Sequence, residues 1–362
     1  MKKIIILLSA LLLAAGCSSN QIVMVVGTYT DSGSYGLYSY RFDAGSGVAS
    51  VMDSVAAVNP SFAIYRDGKV YSVNEINGSQ AAVETYIFDR RRGSFSLEGH
   101  LPAAGADPCH LSTDGHYLLS SNYTGGNLAV FSMDGEGRLA ASEVYAGSVG
   151  GPDLTRQETA HIHCSVFSPD GKYVYASDFS ADRILRFDVG AAGIVPSLDA
   201  EGTRMSFPLD SDYGPRHLVF SPDGRYFYVI GELSGTVTSF RYDDGNLVRT
   251  GVVDADPYDG RGSADIHISP DGRFLYVSNR LVNDGISVFA IEEDGSLSFV
   301  TYQLTGIHPR NFNITPDGRY LLCACRDSDI IQVFERDAAT GLLTDTGRNI
   351  SVPHPVCIEW VR

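Results

Sequence analysis

Apolar and polar residues alternate in short runs along almost the whole chain, and the runs recur in a fixed order. Val166-Phe-Ser-Pro-Asp170-Gly-Lys-Tyr-Val-Tyr175 returns as Val219-Phe-Ser-Pro-Asp223-Gly-Arg-Tyr-Phe-Tyr228, as Ile268-Ser-Pro-Asp271-Gly-Arg-Phe-Leu-Tyr276 and as Ile314-Thr-Pro-Asp317-Gly-Arg-Tyr-Leu-Leu322. Weaker copies stand at Asp67-Gly68 and Asp114-Gly115. Each copy is an apolar run, a tight turn and a second run rich in Tyr and Val, which predicts a β-hairpin. A further alternating pair follows each one, as in Arg183-Ile-Leu-Arg-Phe187 and Gly285-Ile-Ser-Val-Phe289. Four strands per unit, with about 50 residues between successive hairpins, is the period of propeller blades. No segment of helical period competes.

Six hairpins are complete and the two ends supply a seventh unit. Pro355-Val-Cys-Ile-Glu-Trp360 reads as a first strand with nothing after it. Ile22-Val-Met-Val-Val26, Gly36-Leu-Tyr-Ser-Tyr40 and Ser50-Val-Met-Asp53 read as three strands lacking their first. Joining them closes the ring and pairs edges that would otherwise template aggregation. The expected fold is all-β: a seven-bladed β-propeller of four-stranded blades, residues 22–362, with the N- and C-terminal strands sharing one blade. The chain's 44% hydrophobic residues, 20 Tyr, 17 Phe and 38 Gly suit strands and turns and exclude general disorder.

Residues 1–16 read as a secretory signal: Lys2 and Lys3, then an apolar run from Ile4 to Ala15 too short to span a bilayer. The run ends in Leu13-Ala-Ala-Gly-Cys17, which resembles a bacterial lipobox, so Cys17 is the expected lipidation site. Residues 17–21 would form a polar tether. The protein is then a periplasm-facing lipoprotein of the cell envelope, held to the membrane by acyl chains alone. The other five cysteines, Cys109, Cys164, Cys323, Cys325 and Cys357, form no Cys-x-x-Cys pair and are odd in number. Buried free thiols are expected, with neither a zinc site nor a disulfide framework. A net charge of −16 argues against nucleic-acid partners and leaves an anionic small molecule possible only where arginines reverse the sign locally.

The hairpin register locates such a place. First strands line the axis of a propeller, so residues entering them meet those leaving the second strands at one end of the channel. Seven positions before the hairpin aspartate stand His163, Arg216, Ala264 and Arg310; six before it stand Cys164, His217, Asp265 and Asn311. At the second-strand ends stand Glu75, Tyr123, Phe179, Glu232, Arg280 and Arg326. The two longest units carry their excess in Gly147–Ala160 and Leu198–Tyr213, which are expected to wall a pocket at this end. Taken singly, each charged residue also reads as a solvated or ion-paired surface group. His161-Ile-His163 has a spacing a strand-borne metal site could use, but no third ligand accompanies it, so no metal or other cofactor is expected.

With these residues in view, the chain resembles the lactonase family of seven-bladed propellers, which includes the propeller-type 6-phosphogluconolactonases and the fungal carboxy-muconate lactonizing enzymes. The likeness covers the mature chain and is carried by His161-Ile-His-Cys-Ser-Val-Phe, Gly214-Pro-Arg-His-Leu-Val-Phe, Gly231-Glu-Leu-Ser-Gly-Thr-Val, Tyr276-Val-Ser-Asn-Arg280 and Pro309-Arg310. It implies hydrolysis of a sugar lactone by a monomer, with His163, Arg216, Glu232 and Arg280 catalytic and His161, His217 and Arg310 binding substrate. Glu232 or His163 would activate water, and the arginines would stabilise the oxyanion. The signal separates the protein from cytoplasmic phosphosugars, which leaves a phosphorylated substrate open. A lactone-forming isomerase uses the same groups in reverse. A non-enzymatic, lipid-anchored binding or assembly module shares the fold. No Gly-x-Ser-x-Gly elbow indicates a serine hydrolase.

Overall fold

In the computed structural model, which describes residues 20–362 apart from Ser32 and Ala192, the Pro-Asp-Gly hairpins close through one repeated set of bonds. In the copy at Asp170, the Gly171 N–H donates to the Ser168 carbonyl at 2.9 Å. The Ser168 hydroxyl donates to Asp170 at 2.6 Å and accepts from the Tyr173 N–H at 3.0 Å. Gly171 has φ +69, the left-handed position such a turn requires. Ser221 and Thr315 make the same pair of hydroxyl bonds around Asp223 and Asp317.

Seven antiparallel sheets result. Blade 1 joins Gln21–Thr28, Gly36–Asp43 and Val48–Ala56 to the C-terminal strand Pro355–Val361, in the register Met24–Trp360 and Val25–Glu359. The innermost strands of blades 2 to 7 are Ala63–Arg66, Pro108–Thr113, Ile162–Phe167, Pro215–Phe220, Ile266–Ile268 and Pro309–Ile314. Blades 2, 3, 5 and 6 have four strands. In blades 4 and 7 the outer strand is broken in two, Gly193–Pro196 with Ser206–Pro208 and Leu343–Asp345 with Ile350–Ser351. The long segment expected to wall the mouth from Leu198 onward instead interrupts blade 4's outer edge, and none of residues 198–213 lines the cavity at the mouth.

The core is not one mass but seven apolar clusters, one in each gap between neighbouring blades. Four gaps also carry a repeated bond. The hydroxyls of Tyr71, Tyr175, Tyr228 and Tyr276 reach the carbonyls of Gly137, Gly245, Gly295 and Gly341 in the next blade at 2.8 to 2.9 Å. The five described cysteines are free and buried. The expected signal and Cys17 lie outside the described residues, and the tether gives way at Gln21, where the first strand begins. No helix among the described residues is long and apolar enough to cross a membrane.

Candidate active site

Four innermost strands carry a β-bulge where they enter the channel. The register shifts at Pro108–His110, Ile162–Ser165, Pro215–Leu218 and Pro309–Asn311. A bulge breaks the alternation of a strand and re-aims its side chains. Consecutive residues here reach two levels of the channel: Cys109, His163 and Arg310 line a mouth cavity, while His110, Cys164, His217 and Asn311 line a second space.

The mouth cavity has a volume of about 240 Å³ and is lined by Tyr29, Glu75, Cys109, Tyr123, Arg156, His163, Glu232, Arg280 and Arg310. Glu232 sits at its centre of charge. Its Oε1 accepts from Arg156 Nη2 at 2.7 Å; its Oε2 accepts from Arg216 Nε at 2.9 Å and faces Arg280 Nη2 at 3.4 Å. Burial works against its ionisation, but Arg280, Arg216 and Arg156 together outweigh that and hold its pKa at about 2. A second carboxylate, Glu75, accepts from the Tyr29 hydroxyl at 2.9 Å and from Ser61, with Arg310 Nη2 at 3.8 Å. Arg310 also lies over the Tyr29 ring, 5.2 Å from its centroid. Burial and the nearby charge of Arg216 keep His163 neutral, well below the usual imidazole range.

Arg216 is 2% exposed and its guanidinium is spent on Glu232, on the Ala264 carbonyl at 2.6 Å and on His217 Nε2 at 3.3 Å. Expected among the catalytic residues, it pairs with Glu232 and is not among the residues that line the mouth cavity. His217, expected to bind substrate, is likewise absent from the lining of the mouth cavity. It faces the second space, about 130 Å³, where its Nδ1 lies 2.7 Å from Asp265; Asp265 also meets His267 Nε2 at 3.0 Å and Asn311 Nδ2 at 2.6 Å. Burial, and then Arg216, lower the His217 pKa to about 4. His161 is at the rim, its ring stacked on Tyr123 at 4.0 Å and its Nδ1 2.7 Å from the Tyr123 carbonyl.

The second-strand column supplies four lining residues, Glu75, Tyr123, Glu232 and Arg280. Its other two members point elsewhere: Phe179 is buried against Tyr123, and Arg326 pairs with Asp327. Arg156, Tyr29 and Cys109 were not singled out as site residues in the sequence. Arg156 lies in the insertion expected to wall the mouth, which was its only signal. Buried Gln157 ties that insertion to the Phe179 carbonyl and Asp182, and Arg261 ties Asp153 to Asp212.

The family model described as "Lactonase, 7-bladed beta-propeller" matches residues 23–360. A 6-phosphogluconolactonase of Bacillus subtilis (strain 168) is 34% identical over 349 residues, 93% of this chain and 97% of that protein. A crystal structure from Bacteroides uniformis, provisionally assigned as a 6-phosphogluconolactonase, is 49% identical with a TM-score of 0.92, covering 94% of this chain and 100% of that one. The structure of the Pseudomonas aeruginosa periplasmic gluconolactonase is 30% identical, TM-score 0.88, covering 94% and 99%. Fold and sequence agree: this chain belongs to the lactonase family of seven-bladed β-propellers.

Proposed function

We propose that the protein hydrolyses a sugar lactone in the mouth cavity, as the names of its relatives in Bacillus subtilis and Pseudomonas aeruginosa describe for those proteins. The observation that carries this reading is the convergence of Arg156, Arg216 and Arg280 on one carboxylate, beside a neutral His163, around a single cavity. In this reading Glu232 takes a proton from water as its oxygen bonds to the lactone carbonyl carbon. Arg280 and Arg310, both facing the cavity, donate to the carbonyl oxygen as it gains charge; one well-placed donor contributes about 3 kcal/mol. The carbon–ring oxygen bond then breaks as the proton held by Glu232 passes to the departing oxygen, to which the neutral His163 donates a hydrogen bond. Arg216 positions Glu232, and His161 shapes the rim. The chemistry draws on no cofactor, and one copy of the chain supplies every group.

The soluble form beginning at Asn20, offered glucono-δ-lactone and its 6-phosphate, is expected to release acid faster than buffer alone. Glu232→Gln should lower kcat by roughly 10² to 10⁴, the range of general base catalysis. A folded protein that opens no lactone of a varied panel would overturn the reading in favour of a binding module. We further propose that residues 1–16 direct export and that Cys17 carries the anchor, in keeping with the periplasmic relative in Pseudomonas aeruginosa. Cys17→Ala should abolish incorporation of labelled fatty acid; unchanged labelling would refute the anchor.

A further inference from the structure

The three guanidinium groups on Glu232 are not equivalent. Arg216 and Arg280 are 2% and 6% exposed, and both approach Oε2. Each is fixed by a second acceptor in the fold, the Ala264 carbonyl at 2.6 Å and the Gly262 carbonyl at 2.7 Å. Arg156 is 36% exposed and binds the other oxygen, Oε1. Its remaining polar contact is the Tyr123 hydroxyl at 3.2 Å, and its guanidinium lies over the flat face of Phe179, 5.4 Å from the ring centroid. Its backbone is held on both sides: Asp153 through Arg261 before it, and Gln157 through the Phe179 carbonyl and Asp182 after it. The side chain can therefore leave Glu232 while the loop stays, and its leaving frees one carboxylate oxygen without disturbing the other.

The charge around the cavity gives it a reason to leave. Arg156, Arg280 and Arg310 line the cavity with two carboxylates, Glu232 and Glu75, beside an uncharged His163 and the phenols of Tyr29 and Tyr123, and Arg216 stands behind Glu232 with Asp265 as a further charge neighbour. On a protein of net charge −16 this is a local positive excess. An anionic substituent on a bound ring would attract the exposed guanidinium first, since moving it breaks only the part-buried bonds to Glu232 and Tyr123 and leaves the fold's own carbonyl contacts intact.

We infer that Arg156 is a substrate-operated latch: an anionic group on the lactone draws its guanidinium off Glu232 Oε1, and the freed oxygen accepts the proton of the attacking water. This rests on the lactone hydrolase reading above and adds what that reading lacks, a way for a carboxylate clamped by three cations to become basic. With Arg156 withdrawn and the substrate's charge present, Glu232 keeps Arg216 and Arg280 but loses the cation on the oxygen facing the cavity, so its proton affinity rises. An uncharged lactone does not draw the guanidinium away and is opened more slowly than a charged one. The latch makes Arg156 the residue that sets preference for charged over uncharged lactones.

The test compares wild type, Arg156→Ala and Arg156→Lys on three lactones, one bearing a phosphate, one a carboxylate and one uncharged. Wild type should prefer whichever charged lactone fits the mouth. Arg156→Ala should raise KM for that lactone at least tenfold and raise kcat severalfold for the uncharged one, with the acid limb of its rate profile moved to higher pH. Arg156→Lys should retain an intermediate preference. Equal losses on charged and uncharged lactones, or no change on either, would overturn the latch. Calorimetry with a hexose 6-phosphate against the plain hexose supplies an arm independent of turnover. Tighter binding of the phosphate form by wild type, lost at least tenfold in Arg156→Ala, supports the latch, and equal binding by both proteins overturns it. A wild type that turns over no lactone would refute the hydrolase reading, while this binding arm still decides the role of Arg156 in anion capture.

Discussion

Glu232 and His217 show how single buried residues make the channel sensitive to acid. Glu232 has its pKa lowered from 4.5 to about 2 in the folded protein. Its contribution is present above the unfolded value and is lost as pH falls from about 4.5 towards 2; a shift of this size corresponds to about 3 kcal/mol. His217 is lowered from 6.5 to about 4, so the unfolded chain takes up its proton first and stability falls as pH drops through that window. His110 and His163 are lowered as well and act in the same direction. Urea midpoints should therefore decline from pH 7 to pH 4, the three histidines outweighing Glu359, whose pKa burial raises to about 7 and which acts in the opposite sense. His217→Gln, which keeps an acceptor for Arg216, should flatten part of that decline; an unchanged slope would remove His217 from the account. Glu232, Arg280, His163 and Arg310 were legible in the sequence because hairpin register alone assigns their ends of strands. Arg156 was not, because no register runs through a loop.

Among elements, the hairpin and the bulge do different work. The Pro-Asp-Gly hairpin is local chemistry, complete within about eight residues, so its sequence identifies it at sight. The tyrosine that follows it acts between blades: Tyr228 is fully buried and its hydroxyl donates to Gly295 of the next blade at 2.9 Å. Tyr228→Phe removes that bond and leaves a buried carbonyl without its partner. It should cost about 1 kcal/mol of unfolding free energy, read as a lower urea midpoint at unchanged m-value. The blade-7 counterpart is Leu322, which offers no hydroxyl, so Leu322→Ala should cost more, about 2–5 kcal/mol, through the cavity it leaves. The bulges carry no comparable sequence mark. They arise where a strand bends into the ring, and they send neighbouring residues such as Arg216 and His217 to different sites.

For the whole molecule, the decisive element is the last strand. Pro355–Val361 pairs with Gln21–Thr28 and seals the gaps on both sides of blade 1, placing Val356, Ile358, Trp360 and Val361 in buried positions. At about 1.5–3 kcal/mol for each such side chain, deleting residues 355–362 forfeits roughly 6–12 kcal/mol, comparable to the whole stability of an ordinary domain. The shortened chain should fail to fold cooperatively and should aggregate through its open edges. Trp360 is the chain's one tryptophan and packs edge-on to Phe42 at 5.9 Å, so its fluorescence reports closure. In the intact protein that signal and far-UV circular dichroism should change together in urea. A separate earlier transition at Trp360 would mean that blade 1 opens on its own.

The sequence by itself determined the number of blades, the split blade that closes them and the end of the channel where charge gathers. Those features follow from alternation and turn chemistry, which act over a few residues and repeat. Only the tertiary structure decided that Arg216 backs Glu232 while Arg156 caps it, and that His217 belongs with Asp265 in the space beyond. Those relations depend on bulges and on an insertion reaching across from another blade, where residues far apart in the chain meet and spacing carries no information about distance.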